Sequence, residues 1–202
     1  MRNLLYILVF GFLVVSCADS SAAQKTGGKD RKNSSQVSPT PKAASLPKMK
    51  NPTLIVKKGE RKLELFDGAK LIKTYSVALG FAPEGDKEIE GDGKTPEGDF
   101  YVFTKNPKSN FYLSLGLSYP GLKDAKRGLE RKLITQAEYD EIVDALKNKR
   151  MPLQKTRLGG EIYIHGGGNS DDWTWGCVAL TNEEIKELFD AIPVGAKVTI
   201  KP

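Results

Sequence analysis

From residue 53 onward, apolar and polar side chains alternate in short runs, the signature of half-buried β-strands. Thr53–Lys58 and Lys62–Phe66 are two such runs. Gly59-Glu60 separates them, so they read as a hairpin. Asp67-Gly68 turns the chain into a third run, Leu71–Leu79. Asp99–Thr104, Phe111–Tyr119 and Glu161–His165 follow, and Lys197–Lys201 alternates as a closing strand. Two segments change to helical period. Thr135 and Glu138 form a capping box ahead of Tyr139, Ile142, Val143 and Leu146. Thr181 and Glu184 repeat the box ahead of Ile185, Leu188, Phe189 and Ile192, and Pro193 and Gly195 end that helix. The prediction is one mainly β (α+β) domain over 53–202, with two or three packed helices and no internal repeat.

The preceding residues follow a different logic. Arg2 introduces a 12-residue apolar stretch, Leu4 to Val15, too short to span a bilayer and right for a secretory signal. Val14-Val15-Ser16-Cys17 closes it in the manner of a bacterial lipobox. Residues 1–16 are therefore expected to be a lipoprotein signal peptide, with Cys17 the lipidated first residue of the mature chain. Residues 17–52 are rich in Ser, Lys, Ala, Pro and Gly and read as a disordered basic tether. The expected location is the periplasm. Ala18 after Cys17 favours the outer membrane over the inner.

Charge changes the picture only by where it sits. The chain carries 31 basic and 25 acidic residues. Arg2, seven basic residues of the tether, Asp19 and Asp30 precede Thr53, leaving 23 of each sign beyond it. The folded part is neutral, so the basicity is no sign of nucleic-acid binding. Two loop motifs also fail. Gly91-Asp92-Gly93-Lys94-Thr95 suggests a phosphate loop, but Glu88 occupies the place of its first glycine and Pro96 blocks the helix. Asp86, Glu88, Glu90, Gly91 and Glu97 have calcium-loop spacing, but Pro83 and Pro96 interrupt its flanks.

The chemistry concentrates in Ile162–Asn182. This stretch holds the only histidine, His165, and the only cysteine beyond the lipobox, Cys177. His165 ends a strand and precedes Gly166, Gly167 and Gly168; Cys177 follows Gly176. A free thiol is a few per cent thiolate at neutral pH. An adjacent imidazole can take its proton and form a thiolate–imidazolium pair. Backbone N–H groups around a glycine can hold a developing oxyanion, and the glycines after His165 can make room for a substrate backbone. With Asp171 and Asp172 the same pair would make a mixed metal set of an uncommon kind, so no metal or organic cofactor is expected.

His165-Gly166 and Thr174-Trp175-Gly176-Cys177 resemble the signature of the L,D-transpeptidases (YkuD domain), bacterial cell-wall enzymes. Thr95-Pro96-Glu97-Gly98-Asp99-Phe100 is similar to a further element of that family. Two positions depart from the common form: Trp175 stands where many members have a second histidine, and Ala179 where many have an arginine. Gly176 to Asn182 is closer to a YafK-like branch, similar to enzymes that detach a lipoprotein from peptidoglycan.

The resemblance implies a mixed β-sandwich and a cysteine acyltransferase acting on peptidoglycan stem peptides, by thiolate attack at the L-centre carbonyl of diaminopimelate through an acyl-enzyme. It implies Cys177 as nucleophile, His165 as its base, Gly176 and Thr174 around the oxyanion, and Gly166, Gly167 and Trp175 against substrate. Implied partners are stem peptides, a peptidoglycan-linked lipoprotein and, through Cys17, the membrane; a monomer is expected. The alternatives are a hydrolase of the same family and a non-catalytic peptidoglycan-binding lipoprotein.

Overall fold

The computed structural model describes residues 46–202; the expected signal peptide, Cys17 and most of the expected tether lie outside the described residues. The folded unit begins ahead of Thr53. Leu46 and Met49 pack against the core, and the Lys50 and Asn51 N–H groups donate to Asp67 Oδ1 at 3.0 and 2.7 Å.

Eight strands make one curled, mixed sheet. In chain order they are β1 (Pro52–Lys57), β2 (Lys62–Asp67), β3 (Lys70–Ser76), β4 (Gly98–Ser109), β5 (Tyr112–Leu117), β6 (Tyr163–His165), β7 (Val178–Ala179) and β8 (Lys197–Lys201). Their spatial order is β3-β2-β1-β8-β4-β5-β6-β7. The β1–β8 and β6–β7 pairs are parallel and the others antiparallel. The three helices are α1 (Leu122–Glu130), α2 (Gln136–Lys147) and α3 (Asn182–Ala191).

The curl comes from β4, which serves both halves of the sheet. Gly98–Tyr101 pairs with β8, whereas Val102 onward pairs with β5, and the register slips between Val102 and Thr104. A slip of this kind bends and twists the strand that carries it. The two halves therefore share a core. Leu54 of β1, Leu65 of β2 and Val198 of β8 join Leu115 of β5, Ile164 of β6 and Leu188 of α3 in one buried cluster. Side chains alternate across β1, β2 and β8 as the period of two requires, whereas β5 is buried on both faces from Leu113 to Leu117.

Helices α1 and α2 form a smaller cluster with Leu158, around Ala125, Ile134 and Ile142. Gly128 lets Leu158 pack closely against α1: a Cβ there would lie 2.9 Å from Leu158 Cδ2. The connection from α2 back to β6, residues 148–162, crosses the mouth of the site described next.

Candidate active site

His165 closes β6 and pairs with Ser114 of β5 on one side and Ala179 of β7 on the other. Ile164 lies opposite Val178, so Cys177 sits just ahead of β7 beside Tyr163. The Tyr163 N–H donates to Cys177 Sγ at 3.4 Å, and the thiol donates to Glu161 O at 3.5 Å. The sheet register thus sets the sole imidazole and the described thiol on adjacent strands, Cys177 two positions ahead of the residue that pairs with His165. Both line a cavity of about 310 Å³, together with Phe111, Ser114 and Tyr163. Cys177 also borders a cleft of about 920 Å³ on its other side, walled by Gln154, Arg157 and Trp175 among others.

Burial governs the charge of both groups. It pushes the Cys177 thiol up to about 11, against the Tyr163 N–H and the Lys87 charge, which pull down; the Glu161 carboxylate adds to the rise. Burial pushes His165 below its ordinary value, against its hydrogen bond to Gly166 O. Both shifts favour the uncharged forms, thiol and neutral imidazole. Nδ1 of His165 lies 2.6 Å from Gly166 O. A carbonyl only accepts, so Nδ1 carries the proton and Nε2 offers the lone pair. Phe111 stacks on the imidazole at 4.5 Å between centroids, and Trp173 meets it edge-on at 5.5 Å. These two rings hold the plane of a side chain that is only 2% exposed.

The turn before Cys177 is built by Thr174. Its Oγ1 accepts from Gly176 N–H at 3.1 Å and donates to Cys177 O at 2.8 Å. Gly176 has φ +122°, and a Cβ there would lie 2.6 Å from Lys94 O. Only glycine fits such a conformation at such an approach. The Gly91–Gly98 segment is the seat for this turn: buried Thr95 accepts from Gly80 N–H at 2.9 Å, and Phe81 N–H donates to Thr174 O at 3.0 Å. Trp175 is 69% exposed and stands edge-on to Phe81 at 4.8 Å, on the rim of the larger cleft.

Gly166 and Gly167 lie elsewhere. Gly166 is buried against Asn182, where a Cβ would come within 2.5 Å of Oδ1. The Gly167 N–H donates to the same atom at 3.0 Å. The glycines after His165 thus turn the chain onto α3, and neither Gly166 nor Gly167 borders the two cavities. Sequence reasoning passed over Tyr163, Phe111, Trp173 and Glu161. Tyr163 had a signal, since residue i−2 in a strand shares the face of His165.

The aspartates Asp92, Asp86 and Asp172 of the rejected motifs are occupied within the fold. Asp92 accepts from the Glu88, Ile89 and Lys94 N–H groups and pairs with Lys87. Asp86 pairs with Arg127 and Lys123. Asp172 pairs with Arg61 and caps Leu79 N–H.

The L,D-transpeptidase catalytic domain (YkuD) matches residues 51–200 of this chain. YafK of Escherichia coli (strain K12), which bears the L,D-transpeptidase name provisionally, is 27% identical over 203 residues; these cover 96% of this chain and 66% of YafK. The helical cell shape determining protein Pgp2 from Campylobacter jejuni has a similar fold, with TM-score 0.52 and 23% identity, over 78% of this chain and 50% of Pgp2. The chain therefore spans about two thirds of YafK and half of Pgp2.

Proposed function

The chain belongs to the L,D-transpeptidase catalytic-domain family, and we propose that it is a peptidoglycan-modifying enzyme working through a cysteine acyl-enzyme. The observation that carries this reading is that Cys177 and His165 line one cavity, His165 from β6 and Cys177 from the entry to the adjacent strand β7.

A stem peptide enters beside Cys177. Sγ attacks the L-centre carbonyl of diaminopimelate as His165 Nε2 takes the thiol proton. The amide C–N bond breaks, and the imidazolium protonates the departing amine. The thioester then passes to an incoming amine or to water, with His165 again the base. Gly176 N–H is held by Thr174, so the oxyanion falls to Cys177 N–H, which makes no hydrogen bond among the described residues. Thr174 positions the turn, and Trp175 walls the cleft. The chemistry needs no metal or organic cofactor.

Transfer and hydrolysis share this acyl-enzyme. Hydrolysis, as stem-peptide trimming or release of a peptidoglycan-linked lipoprotein, is favoured by Ala179, which is fully buried and bridged to Ala78 where many relatives have arginine. Anchoring by lipid on Cys17, in the periplasm and at the outer membrane, belongs to the same proposal.

Mass spectrometry with a carbapenem tests the nucleophile. The expected result is one covalent adduct on Cys177, absent in Cys177→Ala, and loss of muropeptide turnover in that variant. No adduct together with no turnover would leave a non-catalytic wall-binding lipoprotein, and turnover that survives Cys177→Ala would remove Cys177 as the nucleophile.

A further inference from the structure

The two cavities beside Cys177 have two wall residues in common, Cys177 itself and Glu161. Glu161 stands at φ +56°, a region that residues with a side chain seldom adopt. It is pinned from both sides. Its N–H donates to Gln154 Oε1 at 2.7 Å, and its carbonyl accepts from the Cys177 thiol. Gln154 Nε2 is tied in turn to Tyr119 O and Pro152 O at 2.9 and 2.8 Å. Gly160 admits the close crossing, since a Cβ there would lie 2.4 Å from Gln154 O. Backbone held in such a conformation beside a reactive group points to a positional requirement.

The Glu161 side chain is exposed and has no ion pair or hydrogen bond among the described residues, in contrast to the occupied Asp86, Asp92 and Asp172. An unpaired carboxylate next to the sulfur opposes thiolate formation, so it works against the chemistry until a cation offsets it. Of the other carboxylates on these walls, Glu138 is taken by the α2 cap and Glu90 borders the larger cleft alone. The larger cleft also carries Lys155 and Arg157.

We propose that Glu161 recognises a cationic amine on the side arm of the acyl donor, next to the carbonyl that Cys177 attacks. The inference rests on the chemistry proposed for Cys177. Diaminopimelate ends its side chain in a second centre bearing an ammonium and a carboxylate. The ammonium meets Glu161, and the carboxylate turns toward Lys155 and Arg157. Binding of the correct donor thus offsets the Glu161 charge, which adds to the larger effect of burial on the thiol. A donor whose side arm lacks the cation leaves Glu161 uncompensated.

The test uses the full-length protein carrying Cys177→Ala and calorimetric binding of two stem tetrapeptides. One has the free side-arm amine and the other has that amine acetylated. The free amine should bind about threefold to thirtyfold more tightly, the range for one charge pair at a wetted site. Adding Glu161→Gln should erase the difference, and Glu161→Asp should keep part of it. Glu161→Gln retains every backbone bond named above, and an unchanged melting temperature checks that the fold is intact. A difference that survives Glu161→Gln, equal binding with Glu161 present, or no binding of either peptide overturns the proposal. Turnover by the protein with Cys177 intact is read separately. Amine-dependent binding without turnover removes the acyl-enzyme chemistry and keeps the recognition; turnover without amine-dependent binding does the reverse.

Discussion

A thiol pushed up to about 11 is ionised in only about one molecule in ten thousand at pH 7. In the proposed reaction Cys177 is therefore activated in the act of attack, when His165 Nε2 can accept its proton, and not beforehand. The downward push of burial on His165 agrees, because a neutral imidazole is the form that accepts. A thiolate–imidazolium pair would give iodoacetamide labelling a flat plateau between about pH 5 and pH 8. The expected profile has no plateau and climbs with alkalinity toward the thiol's own ionisation. His165→Gln should leave that climb in place while abolishing turnover. A plateau in the neutral range, removed by His165→Gln, would restore the pre-formed pair.

Helix α3 shows how a secondary-structure terminus supports the site. The Thr181 Oγ1 accepts from Glu184 N–H at 3.2 Å, and Glu184 Oε2 accepts from Thr181 N–H at 3.1 Å. Its first residue, Asn182, holds the bend after His165 through Gly167 N–H. Thr181→Ala should lower stability by about 1 kcal/mol in urea unfolding, and Thr181→Ser should restore most of it. A loss within error of zero would mean that packing of Ile185 and Leu188 alone sets the helix. This helix and α2 were legible because box and apolar stripe coincide in sequence. Helix α1 was not. It buries Asp124, Ala125 and Gly128, one charged and two small residues, so periodicity has nothing to register. Strand β4 runs on to Ser109 through polar Lys105-Asn106-Pro107-Lys108, and β7 is two residues long. The site was legible where residue type is scarce, at the sole histidine and the cysteine after Gly176. Glu161 and Gln154 do their positioning largely through backbone partners, and sequence carries little trace of such contacts.

The curled sheet and the α1–α2 pair differ in how they are held. One cluster joins twenty-three buried apolar residues across both halves of the sheet and α3, whereas four make the cluster around α1 and α2. Polar ties supply much of the rest: Arg127 to Asp86, and the Tyr101 hydroxyl to Arg150 O at 2.6 Å. Regions with few buried apolar contacts open at lower free energy than the global unfolding. Amides of α1 and α2 should thus exchange at least about tenfold faster than those of β1, β5 and β8. Hydrogen-exchange mass spectrometry reads this directly. Ile142→Ala removes a fully buried side chain from the smaller cluster, at a cost of about 2–5 kcal/mol. It should speed exchange in α1 and α2 while leaving β5 and β6 protected. The consequence reaches the site unevenly. Gln154, Arg157 and Glu161 lie on the connection that leaves α2, so loosening that pair remodels one wall of the larger cleft. His165 lies in β6 and Cys177 directly precedes β7, so both stay with the sheet. Ile142→Ala should therefore weaken peptide binding more than it slows Cys177 labelling. Equal protection across helices and sheet, or equal loss of binding and labelling, would make the domain a single cooperative unit with no separately adjustable wall.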